Sequence, residues 1–308
     1  MKSLLEYLCE SPDIILESTP DDVKAMKKWL KSHQAKKLKV VGDEITVAGK
    51  TGAAINEITF DGSEKELPDF VKFDKTPYSA TLEINGKGLE TLKGFPTPGA
   101  AAHLDLYNFD SLEDFDMDFS NNDVQGTVNF YDCTKLKSFS AFKTIKTKYP
   151  HVPYINIFGA TKLTSLEDFD GAPVKLCRIE ESGIKSLKGW TVYPDVYDKN
   201  SGSKVEAKRC PNLTTLDLQA ELAPRSITLS FCPKLSKVGN TSFGKGKVSF
   251  LYLYQCSSVD EEFLEDLLSK IEFDTKWGTL QLEGTKISPD SEVVKKFKEE
   301  HPGVEVNI

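Results

Sequence analysis

The sequence predicts an α/β repeat solenoid, an arc with a parallel β-sheet on its concave side, mostly irregular turns on its convex side and helical caps at both ends. Three observations predict it. Alternating apolar triplets recur along most of the chain, apolar anchors follow each triplet at fixed distances, and the spacers between them are short and carry Gly, Pro and Asp.

The triplets are Ile58-Thr-Phe60, Leu82-Glu-Ile84, Leu104-Asp-Leu106, Val128-Asn-Phe130, Ile155-Asn-Ile157, Cys177-Arg-Ile179, Val205-Glu-Ala207, Ile227-Thr-Leu229, Leu251-Tyr-Leu253 and Leu280-Gln-Leu282. Apolar residues that alternate with polar ones mark half-buried strands. Their last members lie 22 to 29 residues apart, about 25 on average, a period that belongs to repeat architectures. Beyond each last member come two more anchors: Leu112 and Phe115, Leu136 and Phe139, Leu163 and Leu166, Leu213 and Leu216, Leu235 and Val238. Two repeats are one residue shorter here, with Leu89 and Leu92, then Ile184 and Leu187. One such unit cannot bury its apolar edge alone, whereas stacked units share a continuous core and set their strands side by side.

Written as a phrase, the unit is L-x-L-x-x-C-x-x-L-x-S-L-x-G-x-P. Cys133-Thr-Lys-Leu-Lys-Ser-Phe139, Cys210-Pro-Asn-Leu-Thr-Thr-Leu216 and Cys232-Pro-Lys-Leu-Ser-Lys-Val238 follow it closely. On these motifs residues 58–300 resemble the leucine-rich-repeat family. The resemblance implies a curved solenoid with its strands on the concave side.

Four segments follow from this reading. Residues 1–18 are a targeting or capping peptide, 19–57 an N-terminal cap of one helix plus short strands, 58–250 the repeats, and 251–308 the last repeats with a C-terminal helical cap. Ser18-Thr-Pro-Asp-Asp22 opens a helical pattern of Val23, Met26 and Leu30 with a capping residue, a first-turn Pro and early acids. Val259 to Ile271 and Ser288 to Glu300 also read as helices, Val304-Glu-Val306 as a final strand, and Lys37 to Thr59 as a small strand pair that begins the sheet. Caps are expected because terminal repeats would otherwise expose core.

Composition narrows the function classes. Asp and Glu outnumber Lys and Arg 47 to 39, a net charge of −8, which disfavours a nucleic-acid backbone as partner because that needs a basic surface. No apolar run is long enough to span a bilayer, and the first residues lack the apolar core and small-residue cleavage site of a secretory signal, so none is expected. A soluble monomer in a reducing compartment is expected.

Cys133, Cys210, Cys232 and Cys256 each fall three residues after a triplet's last member, where Ser63, Ala160, Ser182 and Thr285 stand in other repeats. A small side chain at that corner can turn inward and satisfy backbone groups of the bend. With spacings set by the repeat and no C-x-x-C pair, reduced structural thiols are expected rather than metal or redox chemistry. Cys177 takes a strand Leu position and is expected in the core; Cys9 belongs to the N-terminal segment.

Sites for chemistry are scarce. Gly49-Lys50-Thr51 resembles the end of a phosphate loop, but Glu44 stands where its first Gly would be. Asp114, Asp116 and Asp118 alternate as in a calcium loop, yet Phe119 replaces the turn Gly and Gln125 the bidentate Glu, so an acidic outer turn is the plainer reading. His33, His103, His151 and His301 have no ligand-spaced partners, and neither G-x-S-x-G nor H-E-x-x-H occurs. No catalytic residue, metal or cofactor is assigned, and the chain is expected not to be an enzyme.

Binding is expected on the concave face, where side chains between and just beyond the strand anchors project. Tyr107, Tyr131 and Phe158 stand on successive strands beside Asp105, Asn129 and Asn156, and Tyr252 with Tyr254 makes a second pair. Aromatics rimmed by polar groups compose protein-binding hot spots. They equally compose cross-strand pairs that stabilise a sheet. A glycan-binding face is a further reading of the same Tyr, Asn and Asp side chains.

The first segment, Met1-Lys-Ser-Leu-Leu-Glu-Tyr-Leu-Cys-Glu10, has two readings. Leu4, Leu5, Tyr7 and Leu8 can form a short amphipathic capping helix. Alternatively, the segment is similar to the capsid-targeting peptides of internal head proteins in T-even-like phages. That resemblance implies packaging in a virion, cleavage after Glu10 or Glu17, each preceded by an apolar residue two places earlier and followed by Ser, and then action on a host factor in its cytoplasm; a virion decoration role is the structural alternative. The same pattern also occurs at Ile179-Glu-Glu181 inside a repeat. On this reading, mass spectrometry of virion protein finds a chain beginning at Ser11 or Ser18, and a chain still beginning at Met1 counts against both cleavages.

Overall fold

The computed structural model describes residues 15–17, 25, 28, 39–41, 45–46, 55–68, 81–95, 97–98, 102–120, 126–146, 151–194, 202–274 and 276–308. Eleven strands make up the main β-structure, and the chain divides into two compact units, Met1–Tyr154 and Ile155–Ile308.

In the first unit β1 (Ile55–Asp61), β2 (Thr81–Lys87), β3 (His103–Tyr107) and β4 (Thr127–Tyr131) pair in parallel, in chain order. Along β3 and β4 the anchors Leu104, Leu106, Val128 and Phe130 are wholly buried, while the residues between them are half-exposed. The core behind is aromatic. Phe115 meets Phe130 edge-on at 4.9 Å, Phe119 at 5.6 Å and Phe142 at 5.8 Å, and Phe139 stacks on Phe142 at 5.2 Å. Edge-to-face rings of this kind add attraction beyond the area they bury.

Across the junction, β5 (Tyr154–Phe158) is followed by β6 (Lys175–Glu180), β7 (Val205–Lys208), β8 (Ser226–Ser230), β9 (Phe250–Tyr252), β10 (Gly278–Gln281) and β11 (Val304–Asn307). From β6 onward each strand pairs in parallel with the next. Leu, Ile and Val replace the Phe cluster as the buried filling of this unit.

The returns between strands are mostly irregular, with one-turn 3₁₀ segments at Ser140–Thr144 and Glu167–Phe169. Two regular helices stand near the C-terminus. Asp260 caps α1 (Glu261–Lys270) by accepting from the Phe263 N–H, and Ser291 caps α2 (Glu292–Glu300) by accepting from Val294. Both fall where the sequence predicts helices, and the predicted last strand is β11. Ala25 and Lys28 are helical, whereas Val23, Met26, Leu30 and the capping sequence before them lie outside the described residues.

Three expectations change. The strand pair at Lys39–Val41 and Ile45–Thr46 is antiparallel and belongs to a separate three-stranded sheet with Ile15–Glu17, so it does not begin the main one. Glu17 therefore ends a strand paired with Lys39–Val41, while Glu10 and Cys9 lie outside the described residues. In the first repeat the register moves by two: Ile58, not Phe60, pairs with Ile84, and Phe60 pairs with Gly86. Third, Cys177 is half-exposed and Leu176 takes its place in the core, at 1% exposure.

Packing around Gly86 explains the register. A Cβ there would lie 2.1 Å from the Phe109 ring, which is wholly buried and fills the space a side chain would need. Gly86→Ala is expected to cost about 1–3 kcal/mol by overpacking, read as a lower urea midpoint, and to cost less in a Phe109→Leu background.

Candidate functional site

How the open face is held begins at the corner after each strand. Asn108, Asp132, Glu181, Arg209, Phe231 and Gln255 all have φ between 48° and 56°, a left-handed conformation unusual for residues with side chains. Gly159 and Gly284 occupy the same position at 77° and 78°. There the backbone N–H still reaches the next strand: Asn108 donates to Tyr131 O, Gly159 to Glu180 O, Glu181 to Lys208 O, Arg209 to Ser230 O, Phe231 to Tyr254 O and Gln255 to Glu283 O, at 2.8–3.0 Å.

One residue later the corner thiols turn inward. Cys133, Cys210, Cys232 and Cys256 are wholly buried. Cys232 Sγ donates to Ser230 O at 3.4 Å and Cys256 Sγ to Leu229 O at 3.2 Å, while Cys210 Sγ reaches Lys208 O at 3.3 Å and lies 3.5 Å from the Ser182 hydroxyl. Burial pushes the Cys133 thiol up to about 12, far from a reactive thiolate. These groups close the bend, as their position in the sequence predicts.

In the first unit the open face carries Glu83, Asp105 and Asn129 in one cross-strand row and Asn85, Tyr107 and Tyr131 in the next. Asn129 Nδ2 donates to Asp105 Oδ1 at 2.6 Å. The Tyr107 and Tyr131 rings stack with centroids 4.8 Å apart and planes 10° from parallel. Burial, then the carboxylates of Asp105 and Glu83, push the Tyr107 phenol up to about 12, and burial with Asp105 raises Tyr131.

Further residues expected in the binding face belong to the second unit. Arg178 lies over the Phe158 ring at 5.3 Å, and Asn156 stands on β5 beside it. Tyr252 stacks on Phe250 at 6.2 Å, but Tyr254 meets Phe231 edge-on at 5.3 Å, so the two tyrosines join different aromatic groups. Phe231 and Trp277, 47% and 45% exposed, escaped the sequence reading because neither falls in an alternating triplet. Between these groups runs an ion-pair chain. Glu180, 4% exposed, pairs with Arg178 and Arg209; Arg178 continues to Glu206 at 3.2 Å, and Glu206 to Lys208 at 2.6 Å.

The acidic outer turn serves packing. Asp114 accepts from Ser138 Oγ and from the N–H and hydroxyl of Ser140, Asp116 from Thr91 and the Leu92 N–H, and Asp118 from the Ser120 N–H. Their carboxylates serve different neighbours, and no cluster able to hold a metal occurs among the described residues. Gly49-Lys50-Thr51 and His33 lie outside the described residues.

The stacked tyrosines generate a titration. The folded phenol of Tyr107 ionises above its unfolded value of about 10, so the neutral form contributes stability that is complete below about pH 10 and is lost as pH rises through about 12. Ultraviolet difference titration of wild type against Tyr107→Phe is expected to show this late phenol, moved to lower pH by Asp105→Asn. Compared with family models, curated proteins and solved structures, the chain matches none.

Proposed function

We propose that the chain is a leucine-rich-repeat-type, non-enzymatic protein-binding module that engages its partner on the open face bearing Tyr107 and Tyr131. The observation that carries this reading is the stacked, half-exposed tyrosine pair beside the Asp105–Asn129 hydrogen bond. Two rings that restrain one another lose little side-chain entropy on binding, which is what makes aromatic anchors effective at interfaces.

The acids beside the pair give the partner a chemistry. Glu83 and Asp105 favour a basic or amide-bearing surface, and the tyrosine hydroxyls supply hydrogen bonds at its edge. On the reading of the N-terminal segment, the partner is a host factor met after delivery from a phage head.

Tyr107→Ser with Tyr131→Ser is expected to weaken capture of a bound partner at least tenfold, about 1.4 kcal/mol or more, in affinity pulldown followed by calorimetry. Unchanged capture by a variant that still melts cooperatively would count against this face.

A further inference from the structure

The second unit holds a depression of about 760 Å³ on its open face, at the entry ends of β6 to β9. Its origin is a break in β6. Leu176 and Ile179 are buried but the two residues between them, Cys177 and Arg178, are both half-exposed, so one extra residue interrupts the alternation. Only Ile179 and Glu180 keep register with β7. A strand that bulges in this way re-aims side chains, and here Cys177 joins the lining instead of the core.

The charge of the lining opposes that of the chain. Lys175, Arg178, Lys204 and Arg225 face it against a single acid, Glu206, in a protein of net charge −8. Glu206 is already committed to Arg178 and Lys208. Neither Lys204 nor Arg225 has an ion-pair partner among the described residues, and the Arg225 guanidinium lies 4.9 Å over the Trp277 ring. Ser203, 4% exposed, also lines the depression, and its buried hydroxyl has no hydrogen-bond partner. A buried polar group left unmade is costly, and an arriving acceptor or donor would relieve it. Phe250 and Tyr252, stacked side by side, supply an aromatic wall.

We propose that this depression binds an oxyanion, a phosphate monoester or carboxylate, carried on an aromatic ring. Lys204 and Arg225 take the anion, Ser203 adds a hydroxyl, and the ring lies against Phe250 and Tyr252. The site is separate from the Tyr107–Tyr131 face and stands whether or not that face binds protein.

Calorimetric titration of the full chain with phenyl phosphate, benzoate and inorganic phosphate tests it. Phenyl phosphate or benzoate is expected to saturate one site about tenfold or more tighter than inorganic phosphate, and Lys204→Gln and Arg225→Gln each to weaken it about tenfold. Lys204 is exposed, so its variant spares the core, and Lys234→Gln, on an exposed turn, is expected to change nothing. No saturation below about 10 mM, or binding by both variants as tight as wild type, would overturn the proposal. Inorganic phosphate binding as tightly as phenyl phosphate would overturn the role of the ring. A phosphotyrosyl peptide that binds tighter than phenyl phosphate assigns the anion to a protein, and equal affinity assigns it to a free small molecule; either result supports the site.

Discussion

The open face of each unit depends on a hydrogen bond that the left-handed residue after a strand donates to the next strand, seen at six corners among the described residues. A parallel strand that simply ended would leave its last N–H and C=O groups unpaired beside a turn, and unpaired buried backbone is expensive. Instead the chain continues the ladder for one more bond, from Asn108 to Tyr131 O and from Arg209 to Ser230 O, while its positive φ swings the following residue inward. A left-handed residue with a side chain costs of order 1–3 kcal/mol, offset by the ladder bond and by the corner that follows. Thiols suit that corner because they are compact and serve a carbonyl, whereas Ala160 and Phe109 fill the same position by packing alone.

Strand placement was legible because the anchors alternate with polar residues: Leu104 and Leu106, Val128 and Phe130, and Ile227 and Leu229 are buried as read. Corner cysteines were legible for the same reason, since position alone fixed their direction. Where two apolar residues are adjacent, as at Leu176-Cys177, periodicity cannot say which one turns inward, and the extra residue in β6 decides it. The first register also escaped, because Ile58 and Phe60 both fit an apolar triplet and only the Phe109 ring over Gly86 selects between them.

The proposed binding face was legible in part. Cross-strand neighbours in register, Tyr107 with Tyr131 and Asp105 with Asn129, do meet. The depression was not, because Lys175, Ser203, Lys204 and Arg225 precede the first anchor of their strands, outside the positions between and just beyond the anchors. Three-dimensional proximity there comes from strand stagger and from the bulge, neither of which leaves a periodic mark. The two faces also differ in sign: acids flank the tyrosine pair, bases the depression.

The left-handed corner has a consequence for variation. It restricts φ but not the chemistry of the side chain, so Asn, Asp, Glu, Arg, Phe and Gln all occupy it in one molecule. Exchanging one of these for another leaves the ladder bond in place, at a strain smaller for Asn and Asp than for the rest. Within each unit the side chain at such a corner can therefore change its chemistry one position at a time while the bend is kept.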